Sequence, residues 1–182
     1  LQSYIPSSND GGTVHRYTVG GTEISNQFDA RLDQNFSPGH TLFGRLSWKK
    51  VDKVSPTTFQ SLGPRTEERP NRTLVISDNF AIKPNLLNEI RFGNTVADQS
   101  YTTGRRGLDL IGEFGLTLLS TNPPDITGTP AVQISGLSSF GENQEEPLTQ
   151  DTWQIADNVT WLKGRHTFKG GFDIKWFNWT SP

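Results

Sequence analysis

The sequence predicts an all-β fold, an antiparallel up-and-down meander of about six long strands arranged as three hairpins. Apolar and polar residues alternate with a period of two over long stretches, which suits a strand with two different faces and excludes an amphipathic helix. These stretches come in pairs that are joined by short turns. The chain of 182 residues also contains 18 glycines and 11 prolines, more chain breakers than a helical fold tolerates.

The first hairpin is predicted over residues 23–51. From Ile24 to Phe36 the even positions are mostly apolar, and the odd positions between them are all polar. The next residues, Ser37-Pro38-Gly39-His40, have the composition of a tight turn. The alternation then resumes as far as Trp48, so the hairpin has two long arms.

Two further hairpins are predicted over residues 73–98 and 151–179. In the second hairpin, Lys83-Pro84-Asn85 separates two alternating stretches. In the third hairpin, the turn Gly164-Arg165-His166 separates two further alternating stretches. The same order of strand, short turn and strand therefore occurs three times.

The connections between the hairpins are predicted to be long loops, over residues 52–72 and 99–150. A loop of the second length is unusual in a compact soluble domain. Before the first hairpin, residues 1–22 are expected to form an irregular lead-in, in which 13–20 is the place for a partial seventh strand. Residues 23–182 are then expected to form one β-sheet segment.

A strand with one apolar and one polar face suits a sheet covered on one side, or a barrel wall with lipid outside and water inside. Charges along the whole polar face favour the wall, as do strands of about ten residues, which match a tilted crossing of the hydrocarbon core. Short turns at one rim and long loops at the other also favour a barrel wall. The sequence therefore predicts a segment of a transmembrane β-barrel wall.

Large aromatic residues fall at two heights along the predicted strands, as in the aromatic girdles of membrane barrels. A soluble or surface-attached β-sandwich for adhesion or carbohydrate binding remains the alternative, with the same aromatic residues filling its core. The residues beside the short turns are Phe36, Phe80, Trp161 and Phe168, and those toward the long loops are Trp48, Trp153 and Trp176.

Composition excludes several functions. There are 17 Lys and Arg residues against 19 Asp and Glu, so the net charge of −2 argues against a long basic face and a nucleic-acid partner. The chain has no cysteine, which excludes a disulfide scaffold, a zinc–cysteine site and a thiol nucleophile. No Gly-x-Ser-x-Gly elbow is present, and residues 136–141 lack the Lys and Ser/Thr of a phosphate loop. The sequence therefore predicts no enzyme.

No catalytic, cofactor-binding or metal-binding residue is predicted, and no cofactor is expected. His15, His40 and His166 have no carboxylate or second histidine at ligand spacing, so they are expected to be solvated turn residues. Glu145 and Glu146 are adjacent in an extended loop, where neighbouring side chains point apart. The charged residues of the polar face are expected to pair across strands; they are Asp29, Arg31, Asp33, Arg45, Lys49, Glu89, Arg91, Lys169, Asp173 and Lys175.

Several stretches, in order, resemble one family. They are QFDARLDQNFS (27–37), TLFGRLS (41–47), LLNEIRFG (86–93), ISGLSSFG (134–141) and DNVTWLKGRHTFKGG (157–171). From about Ile5 onward the chain resembles the barrel of TonB-dependent outer-membrane receptors, most closely the Oar-like subgroup. Those proteins carry a carboxypeptidase-regulatory-like domain before the plug.

This resemblance implies a structural part of a transporter that takes up a bulky nutrient across the outer membrane of a Gram-negative type bacterium. Such barrels close with about 22 strands and hold a plug in the lumen. The implied partners are outer-membrane lipid, the plug, the remaining barrel strands and a TonB-type energy coupler acting through the plug. Six strands are fewer than the eight or so of the smallest barrels, so the fragment is not expected to function alone.

Overall fold

A computed structural model describes residues 4–105, 110–113, 115, 131–141 and 147–181. Within them, six strands form one sheet in which spatial order equals chain order, which confirms the predicted antiparallel meander. No helix in these ranges is long and apolar enough to cross a membrane. The strands are β1 (Thr22–Ser37), β2 (His40–Ser55), β3 (Arg65–Lys83), β4 (Leu86–Thr103), β5 (Leu148–Lys163) and β6 (His166–Thr180), with a 3-10 turn at Gln60–Leu62 and a short helix α1 at Leu110–Glu113.

The strands run further toward the long loops than the sequence predicts. The first connection was predicted over 52–72 but spans only 56–64, because β2 ends at Ser55 and β3 begins at Arg65. The second was predicted over 99–150 but spans 104–147. The added residues of β3 begin Arg-Thr-Glu-Glu-Arg, which is polar on both faces. Alternation therefore disappears there although backbone pairing continues, and a prediction from alternation ends each strand too early.

The lead-in contains no strand over residues 13–20, so the prediction of a partial seventh strand there is wrong. This segment hydrogen-bonds to the residues just before it instead of to the sheet. The side chain of Asn9 donates to the carbonyl of Arg16 (2.6 Å) and accepts from its amide (2.8 Å), while the amide of Asn9 donates to the carbonyl of Val14 (3.3 Å). Because these bonds occupy its backbone groups, the segment forms a closed loop.

The described residues divide into two compact units. The loop unit comprises those within 1–24, 51–68 and 99–147, and the hairpin unit those within 25–50, 69–98 and 148–182. All three buried hydrophobic residues of the described chain, Val51, Leu62 and Phe140, belong to the loop unit. Phe140 packs on Phe59 with 4.9 Å between ring centroids. The loop unit thus has a small hydrophobic core of its own.

The hairpin unit has the opposite pattern of burial. Among its described residues no hydrophobic side chain is buried, whereas Leu32 is 75% exposed and Trp176 is 55% exposed. Its one fully buried side chain is polar, Ser77 at 1% exposure. A water-soluble sheet buries its apolar face, so this arrangement requires an apolar surrounding that the described residues do not supply.

The register between β5 and β6 keeps the two faces separate. Ile155 lies opposite Ile174 and Trp161 lies opposite Phe168, so apolar residues mostly meet apolar ones, and Asp157 opposite Phe172 is the exception. On the other face Gln154 lies opposite Lys175. A shift by one residue would exchange the faces, so the alternation over most of this hairpin fixes its register.

Candidate functional site

The loop unit contains a cavity of about 480 Å³ at the ends of β2, β3 and β4. Its polar lining includes Lys53, Thr57, Arg65, Glu67, Tyr101 and Thr103. All six occupy odd positions, the positions that carry the polar face in the alternating parts of β2, β3 and β4. The volume falls within the range of about 300–1,000 Å³ that is usual for small-molecule sites.

One wall of this cavity is held by contacts between β3 and β4. The guanidinium carbon of Arg65 lies 4.1 Å from the ring centroid of Tyr101, a cation–π contact. The side chain of Gln99 donates to a carboxylate oxygen of Glu67 (3.0 Å), and the hydroxyl of Thr66 donates to the carbonyl of Thr102 (3.2 Å). The wall therefore presents a planar cation, an aromatic ring and a carboxylate in fixed positions.

The 3-10 turn at Gln60–Leu62 joins three segments of the loop unit. The carbonyl of Ser61 accepts from Nε of Arg105 (3.1 Å), and the hydroxyl of Ser61 donates to the carbonyl of Tyr4 (2.6 Å). The guanidinium of Arg105 also lies 5.6 Å from the ring centroid of Tyr4. The hydroxyl of Tyr4 donates to Glu113 of α1 (2.7 Å). Ser61 and Arg105 thus connect the lead-in to the β2–β3 connection.

This network changes the titration of Tyr4. The hydrogen bond to Glu113 is the main reason why the pKa of Tyr4 is raised above its ordinary value, and desolvation and the charge of Glu113 act in the same direction. The cation of Arg105 opposes the shift. Tyr4 therefore stays protonated, and able to donate, across the physiological pH range.

Two glycines allow the chain to close around the 3-10 turn. Gly63 has a φ of 77°, a conformation that other residues rarely adopt. A β-carbon on Gly63 would lie 3.0 Å from the α-carbon of Gly104, and one on Gly104 would lie 2.8 Å from that of Gly63. Only glycine at both positions permits this approach, and the sequence pattern does not distinguish these two from the other glycines.

Replacing Arg105 by Ala is expected to loosen the 3-10 turn, because the carbonyl of Ser61 loses a charge-assisted hydrogen bond. Such a bond is worth about 1.5–3 kcal/mol, so hydrogen exchange of the Leu62 and Gly63 amides should accelerate by about tenfold or more. Arg16→Ala is the matched control, because Arg16 pairs with Asp10 and does not contact Ser61. Unchanged exchange in Arg105→Ala would show that the turn holds without it.

Asp10 stabilises the loop of the lead-in through its ionised form. The backbone N–H of Gly12 (3.1 Å) is the main cause of the lowered pKa of Asp10, followed by the hydroxyl of Ser8 (3.0 Å). A lowered folded pKa means that this stabilisation is present above the unfolded pKa and is lost as the pH falls through the folded pKa.

Acidification is therefore expected to open the lead-in loop below the ordinary carboxyl pKa, and hydrogen exchange at the Asn9 amide should report the opening. In an Asp10→Asn variant the same amide should exchange faster at neutral pH and lose its dependence on acid. If wild type and variant gave the same pH profile, Asp10 would have no part in holding the loop.

His40 is not the solvated turn residue that the sequence predicts. It is half-buried, and its Nε2 lies 2.8 Å from Oδ1 of Asp78. Its ring packs between Phe36 (4.8 Å between centroids) and Phe80 (5.0 Å). The partner, 38 residues away in sequence, is brought close by the pairing of β2 with β3, a proximity that ligand spacing along the chain does not reveal.

Neither of the other two histidines, His15 and His166, forms an ion pair with a carboxylate among the described residues. His15 bonds through Nδ1 to the carbonyl of Ser7 (2.6 Å), and His166 lies at the exposed start of β6. Glu145 and Glu146 lie outside the described residues. Within the described ranges, no three His, Cys, Asp or Glu side chains are placed to hold a metal ion.

The charged residues of the polar face pair both across and along strands. Across strands, Arg45 donates to Asp29 (2.9 Å) and Gln154 donates to Asp173 (2.9 Å). Along single strands, Arg31 pairs with Asp33 (2.6 Å) and Arg91 pairs with Glu89. Cross-strand ion pairing is therefore found for Asp29 and Arg45, whereas Arg31, Asp33, Glu89 and Arg91 pair within their own strands instead of across strands as predicted.

Comparison with known protein families gives a match over almost the whole chain. A sequence model of the family described as outer membrane beta barrel domain matches residues 1–181. No curated protein matches the chain, and no solved structure does.

Proposed function

The chain belongs to the outer membrane beta barrel domain family, and from this premise we propose that it forms part of the barrel of a TonB-dependent transporter or receptor of the Oar-like kind. Family membership itself gives an outer-membrane location and a structural role in a β-barrel. The proposal adds the uptake of a bulky nutrient, driven by a TonB-type coupler, in a Gram-negative type bacterium. It assigns no enzymatic activity to the chain.

The observation that carries this proposal is the exposed apolar face of the hairpin unit. Burial of apolar surface stabilises a protein by about 25 cal/mol per Å², and the large side chains of this face, such as Leu32 and Trp176, remain exposed. A bilayer supplies the missing apolar surrounding. The β-sandwich alternative requires these same residues in a core, and the described part of the hairpin unit buries none of them.

The cavity of the loop unit supports a role in ligand capture. In outer-membrane barrels the short turns lie on the periplasmic side and the longer loops outside. In our proposal the cavity therefore faces an entering nutrient with the Arg65 guanidinium, the Tyr101 ring and the Glu67 carboxylate. Planar cations and aromatic rings bind ligands that carry carboxylates or ring faces.

The partners in this proposal follow from the edges of the sheet. Among the described strands, β1 and β6 are the outer ones, and their free backbone groups cannot be left unpaired in lipid. Each therefore pairs with a further strand of the whole barrel. The polar face is covered by a plug or by water, lipid covers the apolar face, and no nucleic acid takes part.

Binding of the full-length protein to the periplasmic domain of a TonB-type protein tests the proposal. The purified full-length barrel in detergent is passed over the immobilised domain, with a barrel that lacks its plug as the control. Saturable binding by the intact protein alone is the expected result. A folded barrel that does not bind the domain and conducts ions freely in planar bilayers would be a passive channel, which would contradict the proposal.

A further inference from the structure

A group of basic and aromatic side chains lies at the short turn between β5 and β6. We call it the basic rim and define it as Trp161, Lys163, Arg165, His166 and Phe168. Lys163 and His166 face each other across the two strand ends. The ammonium of Lys163 lies 5.1 Å from the ring centroid of Trp161, and the Phe168 ring lies 5.7 Å from that of Trp161.

The basic rim has no acidic counterpart. Residues 158–172 contain Lys163, Arg165 and Lys169 but no Asp or Glu. Within the described part of the chain, neither Lys163 nor Arg165 forms an ion pair. Their charges are therefore available to an external anion.

The neighbouring turn adds to this charge. The amide of Leu162 donates to the carbonyl of Asn85 (2.8 Å), and the side chain of Asn85 donates back to the carbonyl of Leu162 (3.0 Å). This reciprocal pair holds the β3–β4 turn, with Lys83, beside the basic rim. Residues 80–88 likewise contain no Asp or Glu. By contrast, residues 35–44 around the β1–β2 turn contain no Lys or Arg, so the charge is confined to one part of this rim.

We propose that the basic rim binds the headgroup of an anionic glycerophospholipid at the membrane surface. Trp161 and Phe168 are exposed on the apolar face, where a girdle residue contacts the acyl boundary. Lys163 extends from the same face past the Trp161 ring, as basic side chains do when they reach from hydrocarbon to headgroups. Arg165 in the turn supplies a second cation for the phosphate.

The shape of the basic rim favours a lipid surface over a free anion. Every residue of β6 is exposed, and Lys163, Arg165 and His166 are exposed as well. Cations spread over an exposed turn suit an extended negative surface, in which attraction adds up over several groups. The rings of Trp161 and Phe168 add to the binding energy only when the ligand has acyl chains. The inference rests on the membrane location of the chain and not on which nutrient the barrel transports.

The test compares lipid binding by the full-length protein in detergent, measured by native mass spectrometry with phosphatidylglycerol or phosphatidylcholine. Each basic side chain near an anionic surface contributes about a fivefold preference. The double variant Lys163→Gln/Arg165→Gln should therefore lose about 25-fold of the preference for phosphatidylglycerol. Binding of phosphatidylcholine should not change, and the double variant Lys163→Arg/Arg165→Lys should restore the preference.

Lys169→Gln is the matched control, because Lys169 lies nearby on β6 but alternates onto the polar face, opposite Thr160. A loss in Lys169→Gln equal to that in the double variant would overturn the inference, as would an unchanged preference in the double variant. Competition by inorganic phosphate alone at equal concentration would show a simple anion site and also contradict it. Protein that never folds into a heat-modifiable barrel would contradict the membrane location instead.

Discussion

An Ile174→Arg variant is expected to lose about 2–4 kcal/mol of folding free energy in a bilayer, the cost of an arginine on the lipid face near mid-membrane. Ile174 lies opposite Ile155, close to the middle of β5 and β6, and both are on the apolar face. Denaturant titration of the full-length protein in lipid vesicles measures the difference. The large effect arises because the guanidinium loses its water at that depth, while the nearest carboxylate on this face, Asp157, already accepts a hydrogen bond from Asn88.

Ala156→Arg is the matched control for this prediction. Ala156 is the next residue along β5 after Ile155, on the polar face and directly opposite Asp173. An arginine there gains water and a carboxylate partner, so its stability should stay within about 1 kcal/mol of wild type. Equal losses in Ile174→Arg and Ala156→Arg would mean that the two faces do not differ in environment.

Gly171→Val is expected to destabilise the third hairpin by about 2 kcal/mol or more, through overpacking against backbone that cannot move aside. A β-carbon on Gly171 would overlap the carbonyl oxygen of Asp157 and lie 2.7 Å from Oδ1 of Asn158. It would also lie 3.0 Å from the α-carbon of Asn158. The same denaturant titration in vesicles measures the loss.

The adjacent glycine provides the control. A β-carbon on Gly170 would meet no atom within 4 Å, and Gly170 lies opposite Val159 on the apolar face. Gly170→Val should therefore be neutral or slightly stabilising, because a β-branched residue suits a strand better than glycine. If Gly171→Val were as stable as Gly170→Val, the backbone approach at Asp157 would not exist in the folded barrel.

The fold was largely predictable because each strand that crosses the apolar layer must alternate. Where both faces are polar, as in β3 from Arg65 to Arg72, the pattern vanishes, and the strand is visible only in the structure. The prediction of a partial strand in the lead-in was wrong because local hydrogen bonds, which the sequence pattern does not show, determine its backbone. Residues 13–20 were expected to be extended, yet the backbone of Arg16 is hydrogen-bonded to the side chain of Asn9 in a local loop.

The cavity of the loop unit could not be predicted because its residues are distant in sequence. Arg65 and Tyr101 stack only because β3 and β4 pair beyond the predicted strand ends. His40 and Asp78 meet in the same way through β2 and β3. Spacing along one segment detects neither pair. The two glycines at 170 and 171 are likewise equivalent in sequence, and only the opposing strand makes one of them obligatory.

Site-directed spin labelling along β6 tests most directly that this sheet is a membrane wall. The chain contains no cysteine, so single cysteines at 172, 173, 174 and 175 can each carry one label without competing thiols in this segment. In vesicles, labels at Phe172 and Ile174 should collide mainly with oxygen dissolved in lipid. Labels at Asp173 and Lys175 should collide mainly with a water-soluble nickel chelate. Equal access of both reagents at all four positions would contradict the account, because a wall between lipid and water must alternate with a period of two.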